Sequence, residues 1–232
     1  MNALLETLTA IGIFFAGLVG RLGIVLAVML AVLVPILALA AAARGFGMAR
    51  LWVEGYRPAG GVRFRSGLQY APGHTWVRPE GTRLRVGIDD LAERLFPWAV
   101  AVALPAVGQK VKEGEPVARI SAGGKAASVA APVSGTVVAV NAAVAREPTM
   151  VKSDNYGRGW LFAIEPEDGS WRKLPGGETA RSWLRAEAAR LTRFYEHQLG
   201  LAAADGGTLI GPPPSLLGDA QWKALTKSFL RT

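Results

Sequence analysis

The chain has 232 residues, a length that suffices for one domain with a hydrophobic core and added elements but not for two large domains. It contains no cysteine, which excludes disulfides, thiolate-bound zinc, iron–sulfur clusters and a cysteine nucleophile. The net charge is +8, but the basic residues form neither an aromatic-interleaved stripe nor an arginine-rich helix, so we expect no nucleic-acid binding.

The first predicted element is a membrane anchor within residues 1–50. The run from Leu22 to Ala43 contains no charged residue, and at about 1.5 Å per residue it is just long enough to cross a hydrocarbon core of about 30 Å. We therefore predict one transmembrane helix over about 22–43. A cleaved signal peptide is disfavoured, because a basic n-region is missing and Glu6 is the only charge before the apolar stretch that precedes the span.

The charges on the two sides of this span predict its orientation. Arg21 and Glu6 precede the span, whereas a group of arginines and the single Glu54 follow it. Positive residues beside a span stay in the cytoplasm, so we expect a single-pass protein of the inner membrane with a cytoplasmic C-terminal domain. Binding of the same arginines to anionic headgroups would give the same orientation. The arginines are Arg44, Arg50, Arg57, Arg63 and Arg65.

Residues 51–68 are predicted to be a basic linker, because glycine and arginine are frequent there. Residues 69–172 then consist of short apolar runs between turn residues, a pattern typical of strands. A Pro-x-x-Gly-x-x-Val-x-x-Gly/Asn unit occurs twice in this region. Two units that each supply a turn and a strand predict a small sandwich with a pseudo-twofold axis. Pro105, Gly108, Val111 and Gly114 recur at an offset of 27 as Pro132, Gly135, Val138 and Asn141.

The segment 120–129 joins the two units. Gly123 and Gly124 are suited to the positive φ of a tight hairpin turn, and Lys125 follows them directly. We expect this hairpin to be exposed. A rigid sandwich that presents one flexible lysine beside a tight turn is suited to be a carrier domain, although a lysine in such a place is also common as a solvated turn residue.

Residues 173–232 are predicted to form C-terminal helices. From Glu178 to Leu199 the apolar residues fall at helical spacing, and Gly200 closes the helix. Asp219 is expected to cap a last short helix. We expect both helices to dock onto the sandwich, with a partner-binding peptide as the alternative for the last one, whose apolar face consists of Trp222, Leu225 and Phe229.

A set of longer motifs occurs in a fixed order between about Tyr70 and Pro166. In this order and spacing they resemble the H protein family of the glycine cleavage system. The motifs are "HTWVR" (74–78), "VGIDDLAE" (86–93), "VALPAVGQKVKEGEPV" (102–117), "KAAS" (125–128), "APVSGTVVAVN" (131–141), "EPTMV" (147–151) and "YGRGWLFAIEP" (156–166).

The resemblance implies a mainly β fold, a lipoyl-like barrel-sandwich hybrid with flanking α-helices, to which this sequence adds the N-terminal transmembrane helix. It further implies a non-catalytic carrier with covalent lipoic acid. The implied partners are a glycine decarboxylase that donates an aminomethyl group, an aminomethyltransferase that accepts it, a dihydrolipoyl dehydrogenase-like enzyme and a lipoylating enzyme. The thiols that the chain lacks would come from the lipoyl group.

By the resemblance, Lys125 is the candidate lipoyl attachment residue. The family motif is Glu-Ser-Val-Lys-Ala-Ala-Ser, and an ungapped alignment through the repeat places Gly124 under its modified lysine, so that Lys125 stands one position late. The same register sets Ser121 and Gly123 against the motif's Glu and Val. A shift of one residue along a strand turns a side chain to the other face.

We assign no catalytic or metal-binding role to any residue. His74 and His197 are expected to be packing or surface residues. The segment Tyr156–Trp160 matches the Tyr-Gly-x-Gly-Trp element of the family, and there we expect Trp160 to be buried in the core and the glycines to form a turn.

Two other functions stay open. The glycines at 123 and 124 and the missing glutamate favour a non-lipoylated H-like scaffold or interaction module at the membrane. A periplasmic membrane-fusion adaptor would also join one span to a lipoyl-like sandwich. Such adaptors typically carry a long coiled-coil hairpin between their half-motifs, whereas here only the ten residues 120–129 lie there, and the arginines after the span also oppose this function.

Overall fold

The computed structural model describes residues 20–24, 26, 29–42, 44, 56–96, 99–199 and 214–231. They belong to two units, Met1–Glu54 and Gly55–Thr232. In the first unit, helix α1 spans Gly20–Ala42 and is long and apolar enough to cross a membrane. The large apolar side chains described in this helix are exposed. By length and composition it meets the requirements of a membrane span or of a signal sequence.

The second unit is mainly β, with helices at its periphery. Its strands are β1 Tyr56–Ala59, β2 Val62–Arg65, β3 Gln69–Ala71, β4 Thr75–Glu80, β5 Arg83–Ile88, β6 Ala99–Ala103, β7 Lys110–Val111, β8 Pro116–Ala122, β9 Lys125–Ala130, β10 Gly135–Val140 and β11 Phe162–Pro166. Its helices are α2 Asp90–Arg94, α3 Ala142–Arg146, α4 Met150–Ser153, α5 Gly177–Leu199 and α6 Asp219–Phe229, with 3-10 turns at Ser170–Lys173 and Pro214–Leu216.

Two sheets enclose the core of this unit. One has six strands in the order β3-β4-β5-β11-β10-β7, and the other has three in the order β6-β8-β9. Both contribute to one apolar core, for example through Val86 and Val137 from the first sheet and Ile120 from the second, all fully buried. The predicted class, mainly β of the lipoyl-like barrel-sandwich type with flanking helices, is confirmed.

The two copies of the Pro-x-x-Gly-x-x-Val-x-x-Gly/Asn repeat contact each other through their strands. β7 and β10 pair antiparallel with Val111 opposite Gly135, and the Gly108 amide donates to the Val137 carbonyl at 2.7 Å. The glycine of each copy of the repeat therefore lies beside the valine segment of the other copy, as a pseudo-twofold arrangement requires. Gly135 cannot be replaced there, because an added Cβ would overlap the Glu165 carbonyl oxygen.

Residues 56–65, predicted from their composition to lie in a linker, form a hairpin of β1 and β2. Its inner face is apolar, since Val62 and Phe64 are buried and the Phe64 ring stacks on Tyr70 at 5.3 Å. Between them, the Arg63 Nε donates to Asp90 Oδ1 at 2.7 Å. Arg63 and Arg65 alternate with the buried Val62 and Phe64, and Gly60 and Gly61 form the turn of this hairpin.

Helix α5 begins and ends within one residue of the predicted 178–199 and packs on β1, β2 and β3. The face that it buries has the predicted spacing, which is that of an amphipathic helix. The buried residues are Ala180, Leu184, Ala188, Leu191 and Tyr195.

His74 is a buried packing residue with two carboxylate partners. It lies between β3 and β4 with a φ of +57°. Its Nδ1 lies 2.8 Å from Asp89 Oδ2, and its Nε2 lies 3.4 Å from Glu187 Oε2. Burial by itself would lower the pKa of His74, but the two carboxylates outweigh it and raise this pKa to about 9. At neutral pH the imidazolium therefore joins the β3–β4 turn to α2 and α5. His197, by contrast, is exposed.

Asn141, the last residue of the repeat, connects α3 with the turn before β11. Its Oδ1 accepts from the Ala143 amide at 3.3 Å and caps α3. Its Nδ2 donates to the carbonyls of Arg158 and Trp160 at 2.7 and 2.8 Å. The residue is 8% exposed.

We expect Asn141→Ala to lower the free energy of unfolding by about 1–2 kcal/mol, because the helix cap and the bonds to two carbonyls are lost together. Urea unfolding of the full chain in detergent measures this loss. Asn141→Ser is the matched control: its hydroxyl can accept the cap bond, but it lacks the amide group that donates to both carbonyls, so its stability should lie between those of the parent chain and the alanine variant. An alanine variant as stable as the parent chain would contradict this role.

Candidate functional site

The hairpin of β8 and β9 forms where the sequence predicts it. Ala122 and Lys125 are partners across the hairpin, which leaves Gly123 and Gly124 as a two-residue loop. Their φ angles are +56° and +76°, and a loop of type I′ requires positive φ at both positions. The apex is therefore made by glycines, and Lys125 is the first residue of β9. Two residues join these strands, not a coiled coil.

The amine of Lys125 is held in an ion pair at the surface. Its Nζ donates to Asp219 Oδ1, in the first turn of α6. The lysine side chain is only 17% exposed, whereas that of Asp219 is 97% exposed. The hydrogen bond and the charge of Lys125 lower the pKa of Asp219. The lysine therefore lies along the C-terminal helix rather than extending freely into solvent.

Two further contacts hold the C-terminal segment against the same hairpin. The Trp222 Nε1 donates to the Ala126 carbonyl at 2.9 Å, and β9 is an edge strand of its sheet. Helix α6 thus supplies a hydrogen-bond donor to one carbonyl on the open edge of this sheet. At the loop, a Cβ added to Gly123 would lie 3.2 Å from the Ser215 amide nitrogen, so the 3-10 turn before α6 packs closely on the apex.

Gly124, by contrast, faces open space. A Cβ built on this residue would meet no atom within 4 Å. This is the position that the family register places under the modified lysine. The one-residue offset seen in the sequence thus has a spatial counterpart: the open position carries no side chain, and the next residue, Lys125, contacts α6.

The structure differs from the expectation for Asp219. The predicted N-cap of α6 is instead Gly218, whose amide donates to the Gln221 side chain at 2.9 Å. Asp219 is the first helical residue, and its carboxylate is free to pair with Lys125. Sequence reasoning missed this pair and the contact of Trp222, because Lys125 and Asp219 are 94 residues apart and no local pattern links them.

The segment Tyr156–Trp160 is structural. Tyr156 is fully buried and donates to the Arg63 carbonyl at 2.8 Å. Trp160 is half-buried at the edge of the core, less than expected, with the Arg85 guanidinium 4.9 Å from its ring centre. A Cβ at Gly159 would lie about 2.5 Å from the Met150 carbonyl oxygen, so this glycine is required by a close approach of backbone.

The hairpin can accept an acyl group without change to its own backbone. No strand pairing of the hairpin uses the Lys125 amine, so an amide on Nζ would break its ion pair with the exposed Asp219 and leave the pairing of the strands intact. The residues present therefore fit a lysine-linked lipoyl group, provided that α6 leaves room for it. Among the residues that the structure describes, no group of three or more His, Asp or Glu side chains could hold a metal ion.

Comparison with known proteins identifies glycine cleavage H proteins as similar to this chain. The family model described as "Glycine cleavage H-protein" matches residues 68–186. The glycine cleavage system H protein of Thermus thermophilus is 39% identical over 120 residues, which cover 51% of this chain and 94% of the relative. The probable glycine cleavage system H protein of Aeropyrum pernix is 41% identical over 110 residues, which cover 47% of this chain and 77% of the relative.

A solved structure is also similar in part. The crystal structure of a glycine cleavage system H protein from Mycobacterium marinum is 30% identical and is covered over its whole length, against 60% of this chain, with a TM-score of 0.43. Because that score is low, the assignment to the family rests on the family model and the sequence relatives.

Proposed function

The chain belongs to the glycine cleavage H-protein family, and from that membership we propose that it is a membrane-tethered lipoyl carrier with Lys125 as its attachment residue. Members of the family are non-catalytic lipoyl carriers, and the chain is not an enzyme. The observation that supports Lys125 is its place as the first residue after a two-residue hairpin loop, with its amine paired to the exposed carboxylate of Asp219.

The loop, the strands and the lysine of the hairpin each contribute to the proposed carrier function. The Gly123–Gly124 loop and the pairing of β8 with β9 fix the position from which the side chain starts. The side chain of Lys125 supplies the nitrogen for an amide bond. The lipoyl group supplies the dithiol, which a chain without cysteine cannot supply. The proposed cargo is an aminomethyl or related group.

The proposed partners follow from the family. They are a glycine decarboxylase, an aminomethyltransferase, a dihydrolipoyl dehydrogenase-like enzyme and a lipoylating enzyme. The proposed location is the inner membrane, with α1 as a single span and the carrier domain in the cytoplasm. The length and composition of α1 support the span, and the arginines that follow it support the orientation.

Mass spectrometry of the full chain from its own host tests this proposal. We expect the chain in the carbonate-washed membrane fraction, at a mass increased by one lipoyl amide that maps to the peptide containing Lys125. The same chain from cells unable to make or scavenge lipoate is the control and should have the unmodified mass. An unmodified Lys125 in a host whose other carriers are lipoylated would overturn the proposal.

The second candidate function is a non-lipoylated H-like scaffold at the membrane. The glycine apex and the contacts of α6 with Lys125 and Ala126 favour it, because they hold the amine along the protein instead of at the open position 124. It predicts the unmodified mass in every host.

A further inference from the structure

The C-terminal segment Pro214–Leu230 touches the candidate attachment site at three consecutive places. Ser215 packs on Gly123, Asp219 pairs with Lys125, and Trp222 bonds to the Ala126 carbonyl. The segment lies outside residues 68–186, which the family model matches. It is therefore an addition that this chain places directly on the hairpin. We refer to Pro214–Leu230 as the cover.

The two ends of the cover are held differently. At its C-terminal end Phe229 is buried, the Phe194 ring lies 5.9 Å away and the Arg190 guanidinium lies 4.1 Å from its ring centre. Arg190 also donates to the Ser228 carbonyl at 3.0 Å. This end is thus packed on α5 by apolar and cationic contacts.

The end at the hairpin combines an exposed ion pair with buried residues, which are Pro214, Leu217 and Trp222. The Asp219 side chain is almost fully exposed, and ion pairs of this kind are weak and screened by salt. Trp222 is the main anchor, with its indole bond to Ala126 and an edge contact of 5.9 Å to Phe96. The opening that we consider breaks the ion pair and lifts Leu217 and Trp222 from the core, while Phe229 stays packed on α5.

We propose that the cover controls access to Lys125 and must leave the hairpin before this lysine is acylated, an inference that rests on the proposed lipoyl attachment. The acylation needs the free amine. Nζ attacks the carbonyl carbon of an activated lipoyl donor such as an acyl adenylate, the C–N bond forms, the bond from that carbon to the leaving phosphate oxygen breaks, and the proton goes to water. In the covered state the same nitrogen is an ammonium bonded to Asp219.

Closure of the cover and acylation of Lys125 affect each other. An amide on Nζ carries no charge, so it removes the partner of Asp219 and adds an arm where α6 lies. Closure of the cover therefore opposes acylation, and acylation by the same free energy opposes closure. A lipoylated chain is expected to expose the hairpin more than the unmodified chain does.

Acetylation of the full chain in detergent tests the cover without any lipoyl group. A limiting amount of an amine-reactive acetyl ester is added, and the labelling rate of each lysine is measured by mass spectrometry. Trp222→Ala should raise the rate at Lys125 at least about tenfold, because the main anchor is lost. Asp219→Asn should raise it by about threefold, since only the ion pair is removed. Lys112, exposed on the same domain, is the internal control and should label equally in all variants.

A second measurement separates the cover from the carrier function. The same variants are incubated with a lipoylating enzyme and an activated lipoyl donor, and the mass of the Lys125 peptide is followed. Faster acetylation and faster lipoylation in Trp222→Ala support both proposals. Faster acetylation with no lipoylation in any variant supports the cover and overturns the carrier. An unchanged acetylation rate in both variants overturns the cover, whatever the lipoylation result, and Asp219→Asn keeps this test valid if Trp222→Ala does not fold.

Discussion

A full-length Lys125→Arg variant should carry no lipoyl group and should be as defective in its host as a deletion of the gene. Arginine keeps the positive charge, so the ion pair with Asp219 and the fold around α6 are preserved. The guanidinium stays protonated and does not serve as the nucleophile for acylation. The substitution therefore removes the amide chemistry alone. The measurements are the intact mass of the chain and the glycine-dependent growth of the host.

Lys112→Arg is the matched control for this variant. Lys112 is exposed on the same domain, and its substitution leaves the hairpin unchanged. It should keep both the lipoyl mass and the growth of the parent strain. A Lys125→Arg strain that grows like the parent, while the deletion strain does not, would rule out the carrier and leave the scaffold function.

Raising the pH from 6.5 to 9 should remove about 3 kcal/mol of stability through His74 alone. The pKa of this buried histidine is raised by Asp89 and Glu187 from 6.5 to about 9. A raised pKa means that the folded state binds the proton more tightly than the unfolded state. The contribution is therefore complete below pH 6.5 and is lost as the pH rises through 9. Urea unfolding of the full chain at a series of pH values measures it.

Two carboxyl groups, those of Glu187 and Glu93, change the stability of the folded state at lower pH. Hydrogen bonds from His74 and Arg190 outweigh burial and lower the pKa of Glu187 to about 2, so its contribution is present above pH 4.5 and is lost as the pH falls toward 2. Burial and the charge of Asp90 raise the pKa of Glu93 to about 7, so Glu93 reduces stability as the pH rises from 4.5 to 7. Of these three groups, His74 is the one whose contribution to stability is lost mainly between pH 7 and 9.

Comparison of two histidine variants isolates this effect. His74→Gln removes the titrating group and should flatten the decline in stability between pH 7 and 9. His197→Gln, at an exposed position, should leave the decline unchanged. A parent chain whose stability is constant from pH 7 to 9 would mean that His74 is neutral in the folded protein.

The sequence predicted the elements whose determinants are local. The Gly123–Gly124 loop follows from the conformational freedom of glycine at two adjacent positions, and the strands of this region follow from short apolar runs between turn residues. Helix α5 was predicted to within one residue at each end, because its buried residues recur at the helical period. The motifs of residues 70–166 are specific enough, in their order and spacing, to indicate the family by themselves.

Other features depend on which surfaces meet after folding. The hairpin of β1 and β2 has the composition of a linker and becomes structured because Val62 and Phe64 pack on the core. His74 resembles any packing histidine in the sequence, and only the fold places Asp89 and Glu187, which are distant along the chain, on its two nitrogens.

The sequence by itself determined the family, the fold class, the hairpin and the one-residue offset of Lys125, since each depends on residue type and spacing along a short stretch. Only the tertiary structure decided that Lys125 pairs with Asp219 and lies beneath α6. Contacts between residues so far apart arise from the fit of apolar surfaces such as Trp222 on Phe96, and no local periodicity or turn preference encodes that fit.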